Sequence, residues 1–373
     1  MSRLRRLNNE VINHMLEDDE DGEQYWDQQN GMSFLPMDTA EQQEMIKKLE
    51  LRNGLKNDKY LKVPVIATLL NVSTSMQAGS WTFEDIGFNV ADYSNFRPMY
   101  PDEWYRTLNE FHKGNRNLAI DVGCGPGTAT FDIRKKLDFQ KVIGADISAP
   151  MIDRARGRAA QANEPVEFVV YSGDLTDIKS RDNPLVSPSP DLITMAECAH
   201  WLDWESIEAQ VAQVLPSQGT LAVWGYVDPV FVDFPILDDE IETLQYGSPP
   251  DGLGPYWQQP GRQRLRDLFP QLPASEKWFT DIKLWRQDAR PTHGNTQSPL
   301  TLEKSMTLEA FDNYTKTWSS YNRWQSLAKS DDAVAAVDPR DVFLKKVETH
   351  TNLKSRDIVR VAWKTVAMLA RRK

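Results

Sequence analysis

A glycine-rich turn occupies residues 123–127 of this 373-residue chain. An apolar run over residues 118–120 ends in an acid, Asp121, and three glycines follow at a spacing of two: Gly123, Gly125 and Gly127. Glycines leave the backbone bare, so a ligand can lie directly on it, and several nucleotide-containing cofactors use such turns. Thr128 stands where a dinucleotide fingerprint needs its third glycine, and the lysine of a P-loop is absent. The turn therefore admits a ligand closely but offers no cation for phosphate.

Acidic side chains also end the strands that we predict after this turn. Asp146 ends a predicted strand over residues 141–148, where a carboxylate can accept both hydroxyls of a ribose. A third strand is predicted to end at Asp174, and residues 190–204 predict a fourth strand, a loop and a helix. Four strand ends that each deliver a polar residue describe one crevice at the carboxyl edge of a parallel sheet.

These motifs carry a family resemblance. The segments DVGCGPGT, GADIS and SGDL and the strand before AHW resemble the ordered motifs of class I S-adenosylmethionine-dependent methyltransferases. Four further segments resemble the fungal trans-aconitate methyltransferase group: residues 88–101, 198–204, 254–265 and 306–324. The resemblance covers roughly residues 85–370 and implies S-adenosylmethionine as the cofactor. Residues 24–62 separately resemble the leader of the LaeA-like regulators of secondary metabolism.

The resemblance implies a role for each residue along the crevice. Asp121 hydrogen-bonds the backbone or the donor's amino group, the three glycines admit the aminoacyl part, and Asp146 takes the ribose hydroxyls. Ile147 and Met151 pack on the adenine faces. The other implied cofactor contacts are Asp174 at the adenine amino group with Leu175 beside it, Ala196 and Glu197 near the sulfonium, and Tyr93, which forms a cap over the cofactor with Arg97 and Tyr100.

The methyl acceptor is expected to be a small carboxylic acid. Transfer from a sulfonium is an in-line displacement, so the enzyme mainly has to align the nucleophile with the methyl carbon. Arg97 and Arg262 lie in the subgroup motifs, and a guanidinium binds a carboxylate bidentately. A structural salt bridge is the alternative for Arg97, and a surface position is the alternative for Arg262. The predicted substrate site also contains four aromatic residues: Tyr100, Trp201, Tyr256 and Trp257.

His200 is the one histidine of five that follows a strand of the crevice. It could be a general base with a pKa near neutrality, or it could orient the cofactor or hold a loop. A carboxylate nucleophile needs no base, whereas a phenol, an amine or a thiol usually needs a base or a metal. No cluster of His, Asp and Glu has clear metal-ligand spacing, so we predict no metal site.

Two classes of function fit these residues. The first is an O-methyltransferase that acts on a small acid or on a secondary metabolite. The second is a regulator or cyclase that binds the sulfonium without transferring its methyl group, and the LaeA-like leader is the reason to consider it. A dinucleotide-dependent oxidoreductase is disfavoured by Thr128.

Composition limits the partners of the chain. A net charge of −11 argues against non-specific nucleic-acid binding, and no apolar run is long enough to span a membrane. No apolar segment follows the basic N-terminal residues, so we predict no signal peptide. The two cysteines, Cys124 and Cys198, both fall in motifs of the crevice, which favours free thiols and a cytoplasmic location. We expect a monomer or homodimer that binds a small molecule.

The chain is expected to fold as a doubly wound α/β domain behind an N-terminal extension. The extension covers residues 1–80, and the methyltransferase domain covers residues 81–373 around a mostly parallel, seven-stranded sheet. Within the domain we predict a cofactor core at 118–227, an aromatic substrate cap at 228–330, and a closing helix with an antiparallel edge strand at 331–373.

One helical face stands out in the aromatic segment. Its members lie three or four residues apart from a predicted helix start near Thr307: Leu308, Phe311, Tyr314, Trp318 and Tyr321. This face predicts packing against the sheet, or a lid over the substrate formed by one or two of the aromatic rings.

Overall fold

The computed structural model describes residues 96–171, 189–290, 298–329 and 337–373. The predictions for Tyr93, for Asp174 and Leu175, and for residues 1–80 lie outside the described residues. Nine α-helices are present in the described ranges: α1 (Asp102–Phe111), α2 (Thr128–Lys136), α3 (Ala149–Ala162), α4 (Trp204–Val214), α5 (Asp238–Tyr246), α6 (Gly261–Arg266), α7 (Leu308–Lys316), α8 (Ser319–Ala328) and α9 (Pro339–Thr351). None of these helices is long and apolar enough to cross a membrane.

The first half of the central sheet is parallel. Its strands are β1 (Leu118–Val122), β2 (Lys141–Asp146), β3 (Glu167–Val170), β4 (Leu192–Ala196) and β5 (Thr220–Phe231), in the order β3-β2-β1-β4-β5. β4 is buried along its whole length and β1 at all but its last residue, as expected for parallel strands that are covered on both faces. The doubly wound α/β fold is therefore confirmed, and its carboxyl edge carries the glycine turn.

The second half of the sheet is antiparallel. β6 (Phe279–Gln287), β7 (Leu302–Thr307) and the long β8 (Ile358–Arg372) bring the total in the described part of the chain to eight strands, one more than predicted. β8 is antiparallel as predicted, but it lies between β5 on one side and β6 and β7 on the other. The prediction of an edge strand was therefore wrong. The alternating start of β8 is typical of a half-buried edge strand. Its continuous apolar end reflects burial on both faces, as in a central strand.

The aromatic segment over residues 228–330 is only partly a cap. It supplies β6 and β7 to the sheet in addition to the helices α5, α6, α7 and α8. The five residues of the predicted helical face are all buried, which confirms their packing role. They lie on two helices, because the first helix ends at Lys316 and Trp318 caps the second with extended backbone. This break turns Tyr314 and Trp318 toward a cavity described below.

Local capping explains where the helices near the site begin. Ser148 caps α3, and its side chain accepts a hydrogen bond from the amide of Met151. Thr307 caps α7 in the same way, accepting from the amide of Ala310 at 3.0 Å. α2 has no side-chain cap, because its cap residue is Gly127 at the end of the glycine turn. The first amide groups of α2 therefore lie near the glycine turn and donate no hydrogen bond to a capping side chain.

Candidate functional site

The glycine turn connects β1 to α2 with three residues in the left-handed backbone region. The φ angles are +64° at Gly123, +54° at Gly125 and +85° at Gly127. A Cβ at Gly123 would overlap Cys198, and a Cβ at Gly127 would lie 2.8 Å from the ring of Phe168. A Cβ at Gly125 would meet no atom within 4 Å. The two outer glycines therefore permit close packing of the protein, and the middle glycine faces open space where a ligand can lie.

Asp121 stabilises the turn from inside. It is fully buried, and its two carboxylate oxygens accept hydrogen bonds from the hydroxyls of Thr130 and Thr194, each at 2.7 Å. Burial raises its pKa to about 6, although both hydroxyls favour the ionised form. This geometry joins β1 to α2 and β4, and it does not support the predicted contact with the donor's amino group. The sequence could not show that the two threonines are neighbours of Asp121.

Asp146 connects the end of β2 to the glycine turn. One carboxylate oxygen accepts from the amide of Gly125 and the other from the amide of Ser148, both at 2.8 Å. The side chain is partly exposed, and burial raises its pKa. A carboxylate oxygen can accept more than one hydrogen bond, so Asp146 keeps acceptor capacity for ribose hydroxyls while it holds the turn. Asp146 therefore lies at the edge of the crevice, as predicted.

The two residues predicted to contact adenine differ in exposure. Ile147 is 60% exposed at the carboxyl edge of the sheet, whereas Met151 is buried. Val170, at the end of the neighbouring strand β3, is also exposed at 47%. Exposed Ile147 and Val170 provide an apolar surface beside Asp146. The sequence pattern identified the segment but could not separate the exposed residue from the buried one.

Gly125 allows a direct test of the ligand position. We expect Gly125→Ala to lower the free energy of unfolding by only about 1–2 kcal/mol, the cost of left-handed backbone in a residue with a Cβ. We expect the affinity for S-adenosylhomocysteine to fall about fivefold, because the new methyl group enters the open space over the turn. Thermal denaturation and calorimetry measure the two effects. Gly157→Ala on α3, where a Cβ also meets nothing, is the control, and equal affinities of the two variants would contradict this placement.

A second part of the crevice is a cavity of about 60 Å³ beside the end of β4. Gly123 on the turn lies against Cys198, and the preceding residue, Glu197, lines the cavity. The cavity is therefore adjacent to the turn. Six predicted site residues line it: Arg97, Glu197, His200, Trp201, Trp257 and Arg262. Its other polar or aromatic lining residues are Tyr226, Asp228, Gln245 and Ser319, which sequence analysis did not assign to the site, and Tyr314 and Trp318, for which it gave a substrate lid as the alternative. The structure thus gathers both predicted arginines in one small cavity.

Glu197 lies between the turn and the two arginines. Its backbone is in the left-handed region, with φ at +56°, a strained conformation for a residue with a side chain. Its Oε1 accepts a hydrogen bond from the amide of Tyr226 on β5. Loss of hydration raises the pKa of Glu197 to about 7, although the Tyr226 amide, Arg97 and Arg262 each favour the ionised form. A carboxyl group of this pKa is poised to change protonation state near neutrality.

Arg97 is anchored to the start of α8. Its Nε and Nη2 donate to the hydroxyl and carbonyl of Thr317 at 3.0 and 2.9 Å, and its Nη1 donates to the hydroxyl of Tyr226 at 3.4 Å. Its guanidinium also lies over the ring of Tyr314. These contacts hold the Arg97 side chain at the cavity wall. A structural salt bridge of Arg97 stays the alternative prediction.

Arg262 belongs to a buried polar cluster. Its Nη2 donates to the Tyr246 hydroxyl at 2.6 Å, to Gln245 at 3.2 Å and to Asp228 at 3.4 Å. The guanidinium stacks over the ring of Trp257, 3.9 Å from its centroid. Only 11% of its side chain is exposed, so the predicted alternative of a surface residue is wrong. Pro260 and Gly261 mark the start of α6, which carries Arg262 inward.

Asp228 was missed because it lies at an irregularity of β5. The pairing of β5 with β8 shifts between Val227 and Pro229, and Asp228 takes a φ of +47°. Its carboxylate faces Arg262, Lys364 at 3.2 Å and Arg266 at 3.8 Å. The available signal was an acid directly after the apolar run over residues 220–227, at the same edge as the other strand ends. Three cations surround the carboxylate of Asp228, and one of them, Arg266, also pairs with Glu242.

His200 is buried in the short turn Ala199–Trp201 that follows β4. Burial, together with the positive charges of Arg262 and Arg264, lowers its pKa to about 3. Its Nδ1 is buried and has no hydrogen-bond partner in the described residues, and its ring stacks on Phe269. A histidine with this pKa is a weak proton acceptor at neutral pH. The predicted general base of neutral pKa is therefore wrong, and the structural alternative is what the geometry favours.

The aromatic residues predicted for the substrate divide into two pairs. Trp201 and Trp257 line the cavity. Tyr100 is buried against Trp224 and Tyr226 instead, and Tyr256 is buried outside the cavity lining. For these two tyrosines the structure shows ordinary aromatic burial.

Gly261 controls the position of Trp201. A Cβ at Gly261 would overlap the indole ring of Trp201, and Trp201 is half-exposed at the cavity. We expect Gly261→Ala to displace the indole and to raise the KM for the acceptor about threefold, with unchanged affinity for S-adenosylhomocysteine. The free energy of unfolding should fall by about 1–3 kcal/mol because of overpacking. Combining it with Trp201→Ala should restore stability, and a double variant no more stable than Gly261→Ala would disprove the contact.

Comparisons with known proteins agree with this geometry. A family described as a methyltransferase domain matches residues 119–219, and a different family, described as YGR016W, matches residues 1–77. The Saccharomyces cerevisiae protein CRG1, named a probable S-adenosylmethionine-dependent methyltransferase, is 29% identical over 77% of this chain and 96% of its own. The methyltransferase cfoB of Aspergillus candidus is 32% identical over 37% of this chain and 43% of its own.

A solved structure supports the fold. A protein from Anaeromyxobacter dehalogenans, provisionally assigned as a type II methyltransferase, superposes with a TM-score of 0.52 at 22% identity. The superposition covers 74% of this chain and 97% of that protein. The match to residues 1–77 lies on the predicted N-terminal extension, and its description is not LaeA-like, so that resemblance stays a prediction.

The sheet and the glycine turn form a Rossmann-like fold. The match of residues 119–219 to a methyltransferase-domain family and the similarity to CRG1 support S-adenosylmethionine-dependent methyl transfer, with S-adenosylmethionine as the cofactor. The residues fit this group, because Gly125 leaves open space, Asp146 retains acceptor capacity and Ile147 offers an apolar surface. When bound, the cofactor supplies a methyl group on a sulfonium.

Proposed function

We propose that the enzyme transfers this methyl group to a carboxylate oxygen of a small acid. The observation that carries the proposal is the presence of Arg97 and Arg262 on the wall of one small cavity beside the glycine turn. Arginine is the side chain best suited to hold a carboxylate in a fixed orientation.

The size of the cavity supports a small anionic group. The cavity, with a volume of about 60 Å³, has room for a carboxylate. Trp201 and Trp257 add an apolar wall beside the charged groups. This combination favours an acid whose carboxylate enters the cavity and whose remaining atoms lie toward the indole rings.

The chemistry of this transfer matches the residues present. A lone pair of the acceptor carboxylate attacks the methyl carbon, the carbon–sulfur bond breaks, and its electron pair stays on sulfur. The products are a methyl ester and S-adenosylhomocysteine, and no proton is removed. The protein therefore has to position and desolvate the acceptor, which is the contribution of the two arginines. A histidine with a pKa of about 3 is no obstacle to this reaction, because a base is not required.

The resemblance to the fungal trans-aconitate methyltransferase group makes trans-aconitate the first acid to examine, and small acidic secondary metabolites the next. We propose residues 81–373 as the catalytic domain, because CRG1 matches 96% of its own length to 77% of this chain. Both cysteines are buried and unpaired, which supports a cytoplasmic location. We propose a monomer or homodimer as the active form.

Transfer of a labelled methyl group tests the function. The full chain is incubated with radiolabelled S-adenosylmethionine and a panel of small mono-, di- and tricarboxylic acids, with catechol and simple phenols as a second panel. We expect a product from the acid panel that releases labelled methanol in alkali, as a methyl ester does. Labelled product from the phenols alone, or donor binding without transfer to either panel, would refute carboxylate methylation.

A further inference from the structure

Glu197 is the one carboxyl group of the cavity wall that no described cation pairs directly. The other acidic lining residue, Asp228, forms ion pairs with Arg262 and Lys364. Glu197 forms a hydrogen bond only to the amide of Tyr226, through Oε1, among the described residues. An anionic acceptor held by Arg97 and Arg262 would therefore meet one wall carboxyl group that no described cation pairs directly.

We propose that Glu197 is protonated when the acceptor is bound and donates a hydrogen bond to the acceptor carboxylate, so that it selects an anion over a neutral acceptor. This inference rests on the proposed function. One oxygen of Glu197 is already used as an acceptor by the Tyr226 amide, which leaves the proton on Oε2. The carboxyl group then acts as a positioning and specificity residue, and its proton stays in place during the displacement.

Charged and titratable groups from four parts of the chain face Glu197 across the cavity. The chain before α1 contributes Arg97, α6 contributes Arg262, β5 contributes Asp228, and the turn after β4 contributes His200. His200 is neutral at ordinary pH, since its pKa is lowered to about 3. The two arginines stabilise ionised Glu197, and an acceptor carboxylate between them would cancel that effect. Binding of the anion and protonation of Glu197 therefore favour each other.

Burial keeps the carboxyl group of Glu197 partly protonated near neutral pH. Its carboxyl pKa is raised to about 7 from an ordinary value of 4.5, mainly by loss of hydration. The left-handed backbone of Glu197 and the hydrogen bond from the Tyr226 amide hold the carboxyl group in this half-buried position at the cavity wall. The neutral form is populated below that pKa and disappears as the pH rises through it. Acceptor affinity should therefore fall with rising pH.

A general-base role for Glu197 predicts the opposite behaviour. A base that removes a proton from a hydroxyl or phenol acceptor has to be ionised, so activity would rise with pH through the same range. Glutamine at this position would then abolish activity, because an amide accepts no proton. For the role proposed above, glutamine keeps the acceptor for the Tyr226 amide and still offers a donor. The two roles are thus distinguished by the sign of the pH effect and by Glu197→Gln.

The experiment has two arms. In the first, calorimetry measures binding of trans-aconitate to the full chain saturated with S-adenosylhomocysteine, at about pH 6 and about pH 8, where the ligand's own carboxyl groups are ionised. With a pKa near 7, the protonated fraction falls about tenfold over this range, so the wild-type affinity should fall about tenfold. Glu197→Gln should bind with a pH-independent affinity.

The second arm does not depend on any acceptor. Wild type and Glu197→Gln are labelled with ¹³C at the glutamate side-chain carboxyl carbon, and the titration of each resonance is followed by NMR. We expect one glutamate resonance that titrates with a pKa near 7 in the wild type. That resonance should be absent from Glu197→Gln. Glu208→Gln is the matched control, because Glu208 is also partly buried and accepts from the amide of Ser275 outside the cavity.

Each outcome decides one proposal. A Glu197 pKa below about 6, a trans-aconitate affinity that does not fall between the two pH values, or an equal pH dependence in Glu197→Gln overturns the role of Glu197. A third outcome is that trans-aconitate binds at neither pH value while the NMR result is as expected. Glu197 then carries a proton, but trans-aconitate does not bind beside it. That result counts against the role proposed for it, and the methanol-release assay then decides separately whether another acid is methylated.

Discussion

Replacement of Asp146 by alanine is expected to weaken S-adenosylhomocysteine binding by about 1–3 kcal/mol, a loss of roughly 5- to 150-fold. The reason is twofold. Asp146 retains acceptor capacity for the ribose hydroxyls, and it holds the amide of Gly125 at 2.8 Å at the middle of the glycine turn. Without the carboxylate, both the ligand contact and the shape of the turn are affected. Calorimetry with the purified full chain measures the affinity.

Two further variants separate these contributions. Asp146→Asn keeps one side-chain oxygen for the amide of Gly125 or of Ser148, so we expect an intermediate affinity. Asp153→Ala on α3 is the control, because Asp153 is exposed and forms only a surface pair with Arg156. Surface pairs contribute little, so its affinity should equal that of the wild type. An unchanged affinity in Asp146→Ala would remove this residue from the cofactor site.

Replacement of Arg262 by alanine is expected to raise the KM for the acceptor at least about tenfold, equivalent to about 1.4 kcal/mol. The affinity for S-adenosylhomocysteine should stay within about twofold of the wild type, since Arg262 lies in the cavity and the glycine turn does not contact it. The change removes a cation that stacks on Trp257 and leaves Gln245 and the hydroxyl of Tyr246 without their donor. Truncating one partner of a buried charged cluster also destabilises it.

Arg266→Ala is a closely matched control for this prediction. Arg266 lies one helical turn away on α6, faces the same Asp228 at 3.8 Å and packs on the same ring of Tyr246, but it does not line the cavity. We expect Arg266→Ala to change stability slightly and the acceptor KM very little. Arg262→Lys should be intermediate, because lysine keeps the charge and loses the planar fork. Equal KM values for Arg262→Ala and Arg266→Ala would show that Arg262 does not hold the acceptor.

The parallel half of the fold could be predicted from local patterns. Apolar runs over residues 118–122 and 192–196 are buried strands, and acids and glycines directly after them meet at one edge of the sheet. This rule depends only on strand direction, and it correctly located Asp146 and Glu197. The position of β8 could not be predicted in the same way. Whether a strand lies at an edge is decided by partners that are far away in sequence, here β6 and β7.

The amino-acid sequence by itself determined the cofactor, because the glycine turn and the acid at Asp146 act through the local backbone that carries them. Only the tertiary structure decided the protonation states. Asp121 lies near the end of β1, and Glu197 and His200 follow β4 at the same edge, yet burial and neighbouring charges shift their pKa values to about 6, 7 and 3. The physical reason is that a pKa depends on hydration and on charges brought near by folding. Arg97, Arg262 and Asp228 come from three distant segments, and only packing places them around one cavity.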